Sequence, residues 1–155
     1  MQMLKNCNFV LNNLREEDLQ EMQCLWGVEW KNKILETIKL NEVLFAFGQD
    51  EFGDVVPIAM GGFSDMTDDT HKIACVWLLS TKYIRKNKVC FMKELKKQFY
   101  KNEVKYDLLY NYIYFLNTEA KRWLYKLGFS FDNPKPEHLK VQKDFEFFYK
   151  LRKEK

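Results

Sequence analysis

The sequence has few of the residues that build metal centres and disulfide frameworks. It contains two histidines and four cysteines in 155 residues, and Cys7, Cys24, Cys75 and Cys90 are too far apart to form a CxxC pair or a Cys/His ligand set. We therefore expect no metal site and no structural disulfide. The cysteines are interpreted as reduced, partly buried thiols of a cytosolic protein.

Strong charge and long apolar runs are also missing. The formal net charge is only +3, which gives no reason to expect nucleic acid as a partner. No stretch approaches the roughly 20 apolar residues of a transmembrane helix, and the N-terminus carries no signal-peptide pattern. The sequence thus predicts a soluble protein of the cytoplasm, or one packaged in a particle that is made there.

What the chain does contain is a large apolar and aromatic fraction. Hydrophobic residues make up 46% of the sequence and aromatic residues 16%, which excludes a disordered composition. A chain of this length can bury one core but not two. We expect a single domain over residues 1–155.

Hydrophobic periodicity predicts an alternation of strands and helices. Trp26 and Trp30 lie on apolar stripes at helical spacing and are predicted to be core residues. Gly61 and Gly62 predict a bulge or a close backbone approach within a strand. The predicted strands are residues 8–11, 43–47, 55–63, 73–79, 106–115, 129–131 and 145–151, and the predicted helices are residues 14–26, 29–39, 89–101 and 118–127.

Residues 106–131 form the most informative stretch. An aromatic strand is followed by Asn117 or Thr118, either of which can cap a helix, and by an apolar helical stripe that includes Ala120. Gly128 stands where a left-handed residue ends a helix, and Phe129 begins the next strand. A strand, a helix and a strand in direct succession require a crossover, and hence parallel or splayed strands.

This element order resembles the GNAT superfamily of acyl-CoA-dependent N-acyltransferases, and Asn117, Ala120, Gly128 and Phe129 match its second signature. The resemblance implies an α+β fold. Its GNAT-like mixed, mostly antiparallel sheet would have about seven strands, splayed at the fourth and fifth, and would be flanked by about four helices. Acetyl-CoA or another acyl-CoA would lie in the gap between residues 73–79 and 106–115.

The resemblance also implies which residues would contact the acyl-CoA. The pyrophosphate of such a ligand rests on a glycine-rich turn at a helix N-terminus, since glycines let the backbone approach the phosphates. Here that turn carries Lys88 and Cys90 at the two small-residue positions, with basic side chains that could attract phosphate more loosely. The implied contact residues are Leu78, Leu79, Arg85, Lys86, Lys88, Val89 and Asn117.

The general acid of the family is also replaced. GNAT enzymes commonly place a tyrosine seven residues after the signature asparagine, where it protonates the departing thiolate. That position here is Leu124, and Tyr125 is turned by about 100° around the helix. Tyr125 and Ser80 are the weak catalytic candidates, and Thr81, Tyr112 and Tyr114 are alternatives of the same kind.

A narrower pattern is similar to the GNAT-like internal virion proteins of short-tailed bacteriophages. It consists of the run CVWLLST, a Lys/Arg-rich helix, YDLLYNYIYFLNT and leucine at the tyrosine position. This resemblance implies a degenerate acyltransferase fold acting in the virion, in morphogenesis or genome ejection, with a virion or host protein as partner. An active acyl-CoA-dependent N-acetyltransferase is the alternative hypothesis, and an interaction module with an exposed aromatic surface is a third.

Overall fold

The computed structural model describes residues 1–131 and 144–152. No helix among these residues is long and apolar enough to cross a bilayer. The helices are α1 (Gln2–Asn12), α2 (Glu16–Trp26), α3 (Trp30–Lys39), α4 (Lys88–Glu103) and α5 (Thr118–Lys126), and the strands are β1 (Leu44–Gln49), β2 (Val55–Asp65), β3 (Ile73–Ser80), β4 (Leu108–Tyr114), β5 (Ser130–Phe131) and β6 (Phe145–Leu151).

The described strands form one mixed sheet in the order β1-β2-β3-β4-β6-β5. Four of the neighbouring pairs are antiparallel, and the pair of β3 and β4 is parallel. The chain reaches this parallel position through α4, the kind of crossover that parallel neighbours require. The predicted mixed, mostly antiparallel sheet is therefore confirmed.

Helices cover both faces of the sheet. Cys7, Val10, Met22, Ile34 and Ile38 of α1, α2 and α3 pack on one face against β2 and β3. On the other face, α4 and the end of α5 pack against β3, β4 and β6 through a core dominated by aromatic rings. Because successive side chains of a strand point to opposite faces, Trp77 and Leu79 of β3 face the first group, whereas Ala74 and Val76 face the second.

The prediction of a strand at residues 8–11 is wrong, because these residues belong to α1. Cys7, Val10 and Leu11 follow the helical spacing of three and four residues, and all three are buried against the sheet. The short apolar run 9–11 was compatible with either structure, and the burial of Cys7 decides for the helix. The sheet consequently has six strands rather than seven, with five α-helices among the described residues.

The two tryptophans predicted as core residues differ in how far they are exposed to solvent. Trp30 begins α3 and is only 7% exposed, as predicted, whereas Trp26 is 37% exposed and that prediction is wrong. Trp26 is the last residue of α2, directly before Gly27, whose φ of 61° turns the chain. A helix end presents its last turn to more solvent than its middle, which leaves the Trp26 side chain at a surface.

The glycine pair of β2 marks a close approach and not a bulge. The register shift in this part of the sheet lies at Ala46 and Phe47, opposite residue 58. Gly61 lies opposite Leu78, and a Cβ atom placed on it would be 2.5 Å from the carbonyl oxygen of Trp77. Only a residue without a side chain fits this contact.

We expect Gly61→Ala to destabilise the protein by roughly 1–3 kcal/mol, because the added methyl group must displace the β3 backbone. Urea denaturation followed by circular dichroism measures the change. Ser64→Ala, which removes an atom from the same strand instead of adding one, is the control and should change stability by less than about 0.5 kcal/mol. Equal midpoints for the two variants would contradict the proposed contact.

Candidate functional site

A cleft opens where β3 and β4 separate. The two strands pair over only three positions, from Ile73 with Leu108 to Cys75 with Tyr110. Beyond this point both strands continue without pairing, and a cleft of about 660 Å³ lies between and around them. The predicted splay between these two strands is confirmed, and the gap is open.

Asn111 ends the pairing of β3 and β4, because its side chain takes the place of the next hydrogen bond between the two strands. In a parallel ladder of this register, the Tyr112 N–H would bond directly to the Val76 carbonyl. Instead, Asn111 Nδ2 donates to the Val76 carbonyl at 2.6 Å, and Asn111 Oδ1 accepts from the Tyr112 N–H at 2.7 Å. The carboxamide thus acts as a wedge that satisfies both strands while holding them apart.

Leu78 presents its backbone to the opening. The Thr81 N–H donates to the Ile58 carbonyl of the neighbouring strand at 2.8 Å, and in an antiparallel pair such bonds recur at every second residue. Residues 75, 77 and 79 therefore bond to β2, whereas Val76, Leu78 and Ser80 direct their N–H and C=O groups towards β4. Val76 has Asn111 as its partner, but no strand pairs with Leu78 among the described residues.

Helix α2 supplies partners at the wide end of the gap. The Ser80 N–H and hydroxyl both donate to Asp18 Oδ2, at 3.0 and 2.6 Å, and the Ser80 carbonyl accepts from the Arg15 N–H at 3.0 Å. These side chains are almost completely buried. The polar groups that β4 would otherwise satisfy are thereby paired with α2 instead.

Arg15 links this end of β3 to α5. Its guanidinium donates to both oxygens of Asp18, at 3.0 and 3.1 Å, and to Asn117 Oδ1 at 3.0 Å. It also pairs with Glu119 at 3.1 Å and lies 4.7 Å from the ring centroid of Trp123. Five donors in a planar group suit Arg for this role, and Asp18 and Asn117 are each held by further hydrogen bonds.

Glu21 is a half-buried carboxylate on the wall of the cleft. Its Oε1 accepts from the Tyr114 N–H at 3.2 Å, and its Oε2 accepts from Asn117 Nδ2 at 3.1 Å. Burial and the negative charge of Asp18 raise the pKa of Glu21 to about 7, against the lowering effect of these two hydrogen bonds. A carboxyl group with this pKa exchanges protons readily near neutral pH.

The structure places the predicted site residues in different surroundings. Ser80 is buried and its hydroxyl is bound to Asp18, while Tyr125 is 75% exposed and lies beside Lys121 and Lys126 in a separate shallow pocket. Leu78 and Leu79 line the cleft, as does Asn117. The side chain of Asn117 does not cap α5 but is 1% exposed and bonded within the network of Arg15, Asp18 and Glu21.

The basic turn lies at the start of α4, which borders the cleft through Phe91, Glu94 and Leu95. Asn87 anchors the turn to β1: its Nδ2 donates to the Gln49 carbonyl at 2.9 Å and its Oδ1 accepts from the Gln49 N–H at 3.1 Å. The side chains predicted to bind phosphate differ in whether they already have a partner within the protein. Arg85 pairs with Glu17, Lys86 donates to the Asp50 carbonyl, and Lys88 and Val89 are exposed.

Sequence reasoning missed Arg15, Asp18 and Glu21. Glu16, Glu17 and Asp18 fit an acidic first helical turn, which is usually solvated. A signal was nevertheless present, since Asp18 and Glu21 share the spacing of Met22 and Leu25 on the apolar face of α2. Two carboxylates on a buried stripe call for buried partners.

Comparisons with known proteins identify the fold. No protein-family model matches the chain, and no curated protein matches it. Among solved structures, the chain is similar to a chimera of the spermidine N-acetyltransferase SpeG of Vibrio cholerae and hSSAT, with 14% identity over 95% of this chain and 90% of that chain and a TM-score of 0.56. YncA of Salmonella typhimurium, solved with its cofactor acetyl-CoA, has 16% identity over 81% and 75% of the chains and a TM-score of 0.52.

A third similar structure is the ribosomal-protein-alanine N-acetyltransferase of Brucella melitensis, with 14% identity over 80% and 78% of the chains and a TM-score of 0.51. At these identities the likeness concerns the fold alone. The chain has the GNAT-like α+β fold that its element order predicted. None of the comparisons supports the phage virion family.

We expect Arg15→Met to cost roughly 3–5 kcal/mol of unfolding free energy, because the Asp18 carboxylate would be left buried without its counter-charge. Arg85→Met is the matched control. Arg85 pairs with Glu17 at 3.3 Å but its side chain is 64% exposed, so its loss should cost at most about 1 kcal/mol. Urea titrations that give similar losses for the two variants would show that the buried network does not stabilise the gap.

We expect Asn111→Val to close the gap by one hydrogen bond, because valine cannot hold the Val76 carbonyl and the Tyr112 N–H apart. The measurement is the through-hydrogen-bond scalar coupling between the Tyr112 amide nitrogen and the Val76 carbonyl carbon. The coupling should be absent in the natural protein and present in the variant. A folded variant without it would contradict the role of Asn111 as a wedge.

Proposed function

We propose that the protein is an acyl-CoA-dependent N-acyltransferase, with acetyl-CoA as donor and an amine as acceptor. The observation that carries this proposal is the open gap between β3 and β4. The unpaired backbone of Leu78 lies on one side of it, and the Glu21 carboxylate lies at its wide end. The GNAT-like fold supports the proposal, since YncA, which shares that fold, was solved with acetyl-CoA as its cofactor.

The residues along the gap suit an acyl-CoA. An extended arm that carries amide groups can bond to the N–H and C=O of Leu78 as an additional strand would. At the start of α4, the first turn is exposed and contains no acidic residue, so its N–H groups and Lys88 suit phosphate. Lys88 and Cys90 replace the small residues of the family turn, and the exposure of both side chains leaves them room to move aside.

Glu21 is the proposed general base. A bound acyl-CoA would supply an acyl group as a thioester. The unprotonated amine would form the new bond to the acyl carbon as the carbon–sulfur bond breaks, and the thiolate that leaves would take a proton from solvent. Glu21 in its carboxylate form accepts the proton from the amine, and its pKa of about 7 keeps a large share of that form available at neutral pH. Asn117 and the Tyr114 N–H fix the orientation of the carboxylate.

A binding protein without catalysis is the second candidate function. It is favoured by Leu124, which packs into the core on the α4–α5 face where the family places a proton donor. This reading includes the predicted role in a phage virion, which rests on the sequence resemblance alone. It expects acyl-CoA binding without transfer, or no acyl-CoA binding at all.

The test separates these cases in two steps. Thermal unfolding with and without acetyl-CoA reports binding, and a concentration of one hundred times the dissociation constant should stabilise the protein by about 2.7 kcal/mol. Incubation with labelled acetyl-CoA and a pool of amines then reports transfer. Stabilisation without transfer would favour the binding protein, and the absence of both would overturn the proposed function.

We expect kcat/KM for the amine to rise with pH through an ionisation near pH 7, separate from the further rise at higher pH where the amine substrate loses its own proton. The sign follows from the mechanism, because the base acts only when deprotonated and the pKa of Glu21 is raised to about 7. Glu21→Gln should lower kcat by roughly 10²-fold or more and remove this ionisation. Glu16→Gln, an exposed position on the same helix, is the control, and a variant at Glu21 with an unchanged pH profile would exclude it as the base.

A further inference from the structure

The cleft extends to the α1–α3 side of the sheet, and we name this part of it the acceptor chamber. Tyr112 of β4 points to this side, because Leu109 and Ile113, at alternate positions, pack on the other face. The walls of the acceptor chamber are Met22, Trp26, Ile34, Ile38, Trp77 and Tyr112.

The charged side chains that line the cleft among the described residues are all acidic. Asp18, Glu21 and Glu94 are the charged residues on its wall, and no Lys or Arg lines it among the described residues. Asp18 is already paired with Arg15. An ammonium group would therefore find a partner in Glu21, whereas a carboxylate or phosphate in the chamber would be buried without a counter-charge, which is unfavourable.

Two buried polar atoms of the chamber walls have no hydrogen-bond partner among the described residues: Trp77 Nε1 and the Tyr112 hydroxyl. The Trp77 nitrogen lies over Gly62, where a Cβ atom would come within 2.9 Å of it. An indole N–H can only donate, and burial raises the pKa of Tyr112 so that its hydroxyl stays protonated. Unsatisfied buried donors are costly, and a ligand atom that accepts from one of them after a small shift of the side chain would remove that cost.

We propose that the acceptor chamber binds a small primary amine whose body is aromatic or aliphatic, bears no carboxylate or phosphate, and carries an uncharged hydrogen-bond acceptor such as an ether oxygen. The amino group lies at Glu21, the apolar body lies among the aromatic walls, and the oxygen accepts from Trp77 or Tyr112. Acylation of this amine rests on the proposed function, but its binding does not.

Two pairs of amines test the proposal on the full-length protein. 2-Phenylethylamine and phenylalanine differ by one carboxylate, and 4-methoxyphenethylamine and 4-ethylphenethylamine have nearly the same shape but differ by one ether oxygen. Calorimetry with the protein alone measures binding, and labelled acetyl-CoA measures transfer. We expect 2-phenylethylamine to bind at least tenfold more tightly than phenylalanine, and the methoxy compound to bind several-fold more tightly than the ethyl compound.

The variants Trp77→Phe and Tyr112→Phe locate the acceptor contact. One of them should abolish the preference for the methoxy compound while the discrimination against phenylalanine remains. Equal or tighter binding of phenylalanine, or transfer to other amines without binding of 4-methoxyphenethylamine, would overturn the proposal. Selective binding of 2-phenylethylamine by a protein that transfers no acetyl group would uphold the chamber and overturn the proposed function, and the absence of both binding and transfer would overturn the two together.

Discussion

The gap between β3 and β4 stays open because side chains replace the hydrogen bonds that the two strands would otherwise make with each other. Buried backbone N–H and C=O groups need partners, so two strands of a sheet cannot separate without a substitute for the hydrogen bonds they lose. Asn111 supplies it at the closed end, and Arg15, Asp18 and Glu21 supply it at the wide end. Leu78 lies between these two groups with its backbone facing the opening, which makes it the natural position for a ligand.

The same cluster sets the chemistry of the site. Asp18 is neutralised by Arg15, so Glu21 is the carboxylate of this group that has no cation in direct contact. Its burial beside Asp18 is what raises its pKa into the neutral range. Asn117 connects the Arg15–Asp18 ion pair to the Glu21 carboxylate, since it accepts a hydrogen bond from Arg15 and donates one to Glu21. The side chain of Asn117 is thus held by the buried network and does not cap α5.

Much of the fold could be predicted from the sequence because it follows from local periodicity. Apolar runs mark β2, β3 and β4, alternating aromatic residues mark β6, and apolar stripes mark α2 to α5, so most of the element order was accessible. The splay of β3 and β4 was implied by the family resemblance. Residues 8–11 show the limit, because a short apolar run fits a strand as well as a helix. Trp26 shows another, since spacing gives the face of a helix but not how far its end is covered.

The site was less predictable because its contacts join distant parts of the chain. Asp18 meets Ser80 across 62 positions, and Arg15 meets Asn117 across 102. A local pattern can show that a carboxylate lies on an apolar face, but the partner is chosen by the fold. The sequence therefore offered Tyr125 and Ser80 as candidates and missed Glu21, whose proposed role depends on neighbours that only the fold brings together.

The central claim is that the gap beside Leu78 binds the acyl donor. Titration of the ¹⁵N-labelled protein with acetyl-CoA, followed by amide chemical shifts, tests it most directly. The account predicts a saturable shift of the Leu78 amide and slower hydrogen exchange at that position, with changes at the start of α4. A Leu78 amide that stays unshifted at millimolar acetyl-CoA would contradict the account.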